Sequence, residues 1–204
     1  MKFVLATQNP KKREEMASIL GDLGVEIVTE EDLGVNVDVE ETGETFGQNA
    51  ALKAKAVMEA TGLPAIGDDS GLCVDAMKGA PGIYSARYGG PELDDAGRCE
   101  LVLEMMHGQT DRAAHFETYV VCAFPNGDWF AAKGECHGAI AFAPIGNNGF
   151  GYDPIFFRTE EQKTFAQMTA EEKAAISHRG NALRAFREKL KKYLEEHPET
   201  TEGA

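Results

Sequence analysis

The chain has 204 residues, of which 43% are hydrophobic and 26% charged. That is the composition of a soluble globular protein and excludes a disordered one. Twenty Lys and Arg against 34 Asp and Glu give a net charge of −14; this argues against non-specific binding to nucleic acid or to an anionic membrane, since both require basic groups to neutralise phosphate.

No apolar run reaches the roughly 18 residues of a membrane span, and Phe3 to Ala6 is too short for a signal-peptide core. Four cysteines (Cys73, Cys99, Cys122 and Cys136) are widely spaced, with no C-x-x-C pair. They imply neither a zinc knuckle nor a disulfide framework, and a reduced cytoplasm suits them. The charges are segregated: residues 14–52 hold eleven Asp and Glu and no Lys or Arg, whereas 173–192 hold seven Lys and Arg and one Glu. A polyanion could still be held at local basic points, with a cation managing the carboxylates.

Residues 2–6 read as a short buried strand. Asn9 then suits an N-cap and Pro10 the first helical position, with Met16, Ile19 and Leu20 forming a stripe that ends near Gly21. Strand, tight turn and helix open an α/β fold. The capping box Thr45-x-x-Gln48 starts a second helix that Gly62 stops. Leu63 to Ile66 predict another buried strand, followed by a polar turn at Gly67-Asp68-Asp69-Ser70-Gly71 and a further apolar stretch over 72–77. A Gly- and Pro-rich loop over 79–91 precedes a helix near 95–106. An extended pattern runs over 116–132 with a hairpin turn at Asn126-Gly127, and strands continue over 133–145. After the glycine-rich loop 146–153 and a short strand at 154–157, a second capping box, Thr169-x-x-Glu172, introduces a helical C-terminal region. With no internal repeat or linker, residues 1–197 read as one α/β domain or as two lobes sharing a cleft, and 198–204 as a disordered tail.

Four segments could carry chemistry. Thr7, Gln8, Asn9, Pro10, Lys11 and Lys12 combine a helix N-terminus with hydroxyl, amide and ammonium groups, the ingredients of a phosphate cradle. The same residues also read as a capped helix with solvated lysines, and the P-loop signature is absent. Asp68, Asp69 and Ser70 lie at the carboxyl end of a predicted strand, where open α/β sheets place ligands. Glu40 and Glu41 could add oxygen ligands suited to Mg²⁺, although Asp, Ser and Gly are also ordinary turn residues. A trypsin-like reading of Asp69-Ser70-Gly71 fails, because no His precedes residue 107. Phe150, Gly151, Tyr152 and Asp153 offer an aromatic face and a carboxylate for a nucleobase, or an apolar loop anchor. Lys173, His178 and Arg179 put positive charge near helix starts, where the dipole disfavours it unless an anion compensates. The other histidines (His107, His115, His137 and His197) show no ligand spacing and read as structural or exposed.

Taken in order, the segments LATQNPKK, VEETGETF, AIGDDSGL, GAPGIYSARY, GFGYDPIF and EEKAAISHRGNAL resemble the inosine triphosphate pyrophosphatase family over residues 2–194. The family pattern often has Gly where this chain has Gln8. The resemblance implies an α/β fold of two lobes around a long central mixed sheet, with flanking helices and an active-site cleft between the lobes. It also implies a homodimer and Mg²⁺-dependent cleavage of non-canonical purine nucleoside triphosphates (ITP, dITP and XTP) into monophosphate and pyrophosphate. On this reading Thr7 to Lys12 hold the triphosphate, and Glu40, Asp68 and Asp69 serve the metal. Asp69 accepts the proton of water and Ser70 touches substrate, while Phe150 to Asp153, Lys173, His178 and Arg179 surround the base. Two rivals are a nucleotide-binding regulatory module that does not hydrolyse and a related pyrophosphatase for pyrimidine or modified nucleotides.

Overall fold

A computed structural model describes residues 1–7 and 9–198, with only the backbone of Lys11, Ser18 and Asp22. The strands are β1 (Lys2–Ala6), β2 (Glu26–Thr29), β3 (Ala65–Val74), β4 (Ala113–Ala123), β5 (Trp129–Ile140), β6 (Phe156–Arg158) and β7 (Lys163–Thr164). The α-helices are α1 (Pro10–Leu20), α2 (Phe46–Thr61), α3 (Asp95–Met105), α4 (Ala170–Ile176) and α5 (His178–Glu196). The strands form one mixed seven-stranded sheet in the order β2-β1-β3-β4-β5-β6-β7, flanked by helices. β1 is parallel to both β2 and β3, whereas β6 is antiparallel to β5 and β7.

The chain forms two compact units. The first comprises residues 1–69, 118–134 and 179–204, and the second 70–117 and 135–178. In the first unit, strand alternation feeds three clusters on the two faces of the sheet. Phe3, Leu5, Ile66, Val120 and Cys122 pack with Met16 and Leu20 of α1 and with Leu183, Phe186 and Leu190 of α5. Their neighbours along the strands, Val4, Ala6 and Ala65, join Val57 of α2, while Val121 and Ala123 join Ala50 and Ala54. The unbroken apolar run Phe3 to Ala6 is therefore buried on both faces. In the second unit Leu72, Val74, Val102, Tyr152, Phe156 and Phe165 share one core.

Several sequence expectations change. The polar segment 67–71 is not a turn: β3 runs straight through it. Asp68 and Asp69 are only 1% and 8% exposed, and the strand persists because cations balance both carboxylates. A Cβ on Gly67 would lie 2.4 Å from Ala50 O, so only glycine lets α2 pack this closely. The extended pattern expected to continue over 133–145 ends at Ile140, within the single strand β5. The strand expected at 154–157 begins as a 3₁₀ turn at Asp153–Ile155. Strand β2 carried no distinct alternation and was not anticipated. Of the tail expected over 198–204, residues 199–204 lie outside the described residues.

Candidate active site

The parallel pairing of β1 and β3 ends at Ala6↔Gly67, so Asp68 and Asp69 follow at the carboxyl end of this pair, level with the turn leading into α1. That turn is built as an N-cap. Asn9 Oδ1 accepts from Lys12 N–H at 3.3 Å, and Thr7 Oγ1 accepts from Asn9 N–H at 3.3 Å. A hollow of about 520 Å³ opens beside it, lined by Thr7, Arg13 and residues of the acidic stretch such as Glu30 and Glu31. Pro10 is exposed, whereas Gln8 and the Lys11 side chain lie outside the described residues.

Alternation along β3 sends the two aspartates to opposite faces. Asp68 shares the face of Ile66, toward α1 and α5. Its Oδ2 lies 2.7 Å from Lys12 Nζ and 3.8 Å from Arg179 Nε. Arg179, 2% exposed, anchors its Nη1 on Glu15 at 2.7 Å. Burial alone would raise the Asp68 carboxyl, but Lys12, Arg179 and Lys53 outweigh it and hold the group below the usual carboxylate range. The Lys12 ammonium is lowered by burial, with repulsion from Arg179 and Lys53 adding to the effect.

Asp69 shares the face of Ala65 and Gly67, toward α2. Lys53 Nζ reaches Asp69 Oδ1 at 3.2 Å and Glu41 Oε1 at 2.9 Å. The Asn49 amide donates to Asp69 Oδ2 at 3.4 Å and accepts from Gly43 N–H at 2.8 Å. Burial raises the Asp69 carboxyl above its ordinary value, and Glu41 adds to this against the pull of Lys53 and Lys12. Adjacent residues of one strand are thus tuned in opposite directions. This bears on the expected metal set, because Asp68 and Asp69 do not converge on one face. Glu40 is exposed, and the acidic residue brought toward Asp69 is Glu41.

The donor set suits Mg²⁺. Asp69 and Glu41 are hard oxygen ligands already bridged by a cation, and on the other face the buried Asp68 Oδ1 accepts no hydrogen bond among the described residues.

Lys53 and Asn49 were missed in the sequence. Their signal was present: they sit four residues apart on α2, and Lys53 is the first basic residue after the acidic stretch.

In the second unit the loop 150–153 is organised around Asp153, which is 2% exposed. Its Oδ2 accepts from Phe150 N–H at 2.9 Å and from Lys173 Nζ at 2.6 Å. A Cβ on Gly149 would fall 1.9 Å from that oxygen, and its φ of +76° also favours glycine. Gly151 N–H donates to Asp95 Oδ2 at 2.8 Å. The buried Tyr152 donates its hydroxyl to Ser85 O at 2.8 Å, which makes it the anchor of the loop. Phe150 remains partly exposed, with Lys173 Nζ 4.8 Å from its ring centroid. His178 stacks on Phe116 at 4.6 Å and is buried. Ser70, partly buried, directly follows Asp69 on β3. The structure therefore gathers Phe150, Asp153 and Lys173 around one carboxylate, and groups Arg179 with Asp68 and Glu15.

A mixed sheet with paired acids and cations at the carboxyl end of a parallel pair defines an α/β protein whose charged cluster lies where open α/β sheets place ligands. The chain belongs to the Ham1 family, whose model matches residues 3–189. It is 49% identical over 193 residues to a dITP/XTP pyrophosphatase of Haemophilus influenzae, covering 93% of this chain and 98% of that one. A Streptomyces coelicolor protein of the same name is 47% identical over 189 residues, covering 91% and 94%. Among solved structures, a Coxiella burnetii HAM1 protein superposes with a TM-score of 0.89 at 41% identity, covering 94% and 99%. The Staphylococcus aureus Ham1 protein gives 0.88 at 39%, covering 95% and 100%.

Proposed function

We propose that this protein hydrolyses non-canonical purine nucleoside triphosphates of the dITP, ITP and XTP kind to the monophosphate and pyrophosphate, with Mg²⁺. The observation that carries the reading is Asp69, a carboxyl raised by burial and fixed between Lys53 and Asn49. A proton acceptor working near neutral pH needs such a shift. Its weight comes from the relatives, which are named dITP/XTP pyrophosphatases over nearly their whole length. A regulatory module that only binds nucleotide would have no use for a proton acceptor held this way.

Each residue then has a task. Thr7, Asn9 and the α1 N-terminus, with Lys12, grip phosphate oxygens through N–H groups and charge. Asp69 takes the proton of the attacking water, and Lys53 keeps that carboxyl aligned. Asp69 and Glu41 would hold Mg²⁺, which supplies charge neutralisation on the phosphates when bound. Phe150 offers its ring to the base, and Lys173 and Asp153 hold that loop in shape. Arg179, fixed by Glu15, donates to the 6-keto oxygen; the 6-amino group of adenine would oppose donor with donor, at a cost of about 1–3 kcal/mol. We further propose a cytoplasmic homodimer that keeps such nucleotides out of DNA and RNA. Among the described residues no helix is long and apolar enough to cross a membrane.

Incubation with ITP, dITP, XTP, the canonical triphosphates and a pyrimidine panel, with pyrophosphate and monophosphate both quantified, tests the reading. Release of inorganic phosphate with a diphosphate product, or no turnover of any keto-purine substrate, would overturn it.

A further inference from the structure

The β4–β5 ladder brings together residues that are 18 or more positions apart in sequence. Two backbone bonds fix its register: Ile140 N–H to Arg112 O at 2.8 Å, and Phe124 N–H to Asp128 O at 2.9 Å. Both bonds belong to the same antiparallel register, which sets His115 opposite His137 and Glu117 opposite Glu135. These are the non-hydrogen-bonded rungs, where facing side chains approach most closely. All four residues alternate with the buried Ala114, Phe116, Thr118 and Cys136, so they share the other face of the sheet.

The side chains converge accordingly. One ligand atom each from His115, Glu117 and Glu135 lies within 4.8 Å of the others. His137 Nε2 is 3.5 Å from Glu135 Oε2, and the two imidazole centroids are 5.3 Å apart. His115, Glu117 and Glu135 make a three-ligand donor set, and His137, beside Glu135 and His115, stands next to it as a fourth candidate ligand. Imidazole selects Zn²⁺, Ni²⁺ or Cu²⁺ over Mg²⁺, and the carboxylates balance a divalent charge. On the next rung Lys133 directs its ammonium over the Tyr119 ring at 5.7 Å.

We infer that His115, His137, Glu117 and Glu135 form a binding site for one Zn²⁺-class ion, separate in chemistry from the all-oxygen Asp69 and Glu41 site. The test is calorimetric titration of metal-free protein with Zn²⁺ while excess Mg²⁺ occupies hard oxygen sites, with the histidine ring NMR signals followed in parallel. Wild-type protein should take up one Zn²⁺ per chain that a His115→Gln/His137→Gln variant does not, and both imidazoles should shift on binding. A Glu117→Gln/Glu135→Gln variant should bind at least ~10-fold more weakly. Circular dichroism in chelator confirms that each variant is folded. Equal Zn²⁺ uptake by the histidine variant, or unshifted imidazoles in the wild type, overturns the site. Undiminished affinity in the glutamate variant overturns the four-ligand assignment.

Discussion

On one face of β3, Asp68 is surrounded by the cations Lys12 and Arg179, and its carboxyl is held low. On the other face, Asp69 has one cation and one amide, with Glu41 opposing it, and its carboxyl is raised. The residues are adjacent and both are buried, so the difference comes from the balance of neighbours: α1 and α5 bring two cations to Asp68, whereas Asp69 meets Lys53 of α2 with Glu41 opposing it. Asp68 is a charge the fold needs, because without it the buried Lys12 would lose its ion pair while Arg179 and Lys53 still repel it. Asp69 is a charge the fold tolerates at a cost, which is the usual position of a group kept for chemistry.

The sharpest way to break this comparison is Asp69→Asn. Loss of a general base costs ~10²- to 10⁴-fold in kcat, while the melting temperature should hold or rise, since a carboxyl raised by folding opposes stability once ionised. Steady-state kinetics and thermal unfolding of the same preparation check both halves. A variant keeping more than about a tenth of the activity would remove Asp69 from the role of base.

Asp68→Asn should do the reverse and destabilise the protein by about 3–5 kcal/mol, the cost of stranding a buried charge, as read by urea unfolding. The pH dependence follows in sign. A carboxyl lowered by folding contributes stability above its unfolded value, and that contribution is lost as pH falls through its lowered one. Wild-type stability should thus decline on acidification in a way the Asp68→Asn variant does not share.

How much of this was legible beforehand depended on whether the signal was local. The N-cap at Asn9, the Thr169 capping box and the Thr45 start and Gly62 stop of α2 are short-range patterns, and each stands where the sequence puts it. The segment 67–71 misled because turn propensity belongs to Asp, Ser and Gly in water. Here Lys12, Lys53 and Arg179 arrive from three different helices to neutralise the strand. Glu41 rather than Glu40 reaches Lys53 for a similar reason: neighbours on an irregular segment point apart, and only the position of α2 chooses between them. The His115–His137 pair was invisible because its ligands meet across a ladder instead of along a helix.

Arg179→Ala tests whether this guanidinium reads the base. A charge-assisted hydrogen bond is worth ~1.5–3 kcal/mol, so the preference for ITP and XTP over ATP should fall by roughly 10- to 150-fold in kcat/KM. A uniform loss across bases would confine Arg179 to its ion pairs with Asp68 and Glu15.

The smallest expected effect belongs to Phe150→Ala, and its pattern matters more than its size. The ring is partly exposed, and its backbone N–H is fixed on Asp153, so truncation should remove an aromatic face without unseating the loop. Offset stacking is worth about 0.5–1.5 kcal/mol, which predicts a loss of roughly 2- to 12-fold in kcat/KM. Every purine has a similar face, so ITP, XTP, GTP and ATP should all lose alike, and KM should carry the change. Combining Phe150→Ala with Arg179→Ala then separates face from edge. If the two act on different parts of the base, the losses multiply for ITP, whereas ATP shows only the Phe150 contribution. A base-dependent loss from Phe150→Ala alone would instead show that the loop reads the ring edge through its own N–H groups, and the division of labour between Arg179 and residues 150–153 would have to be redrawn.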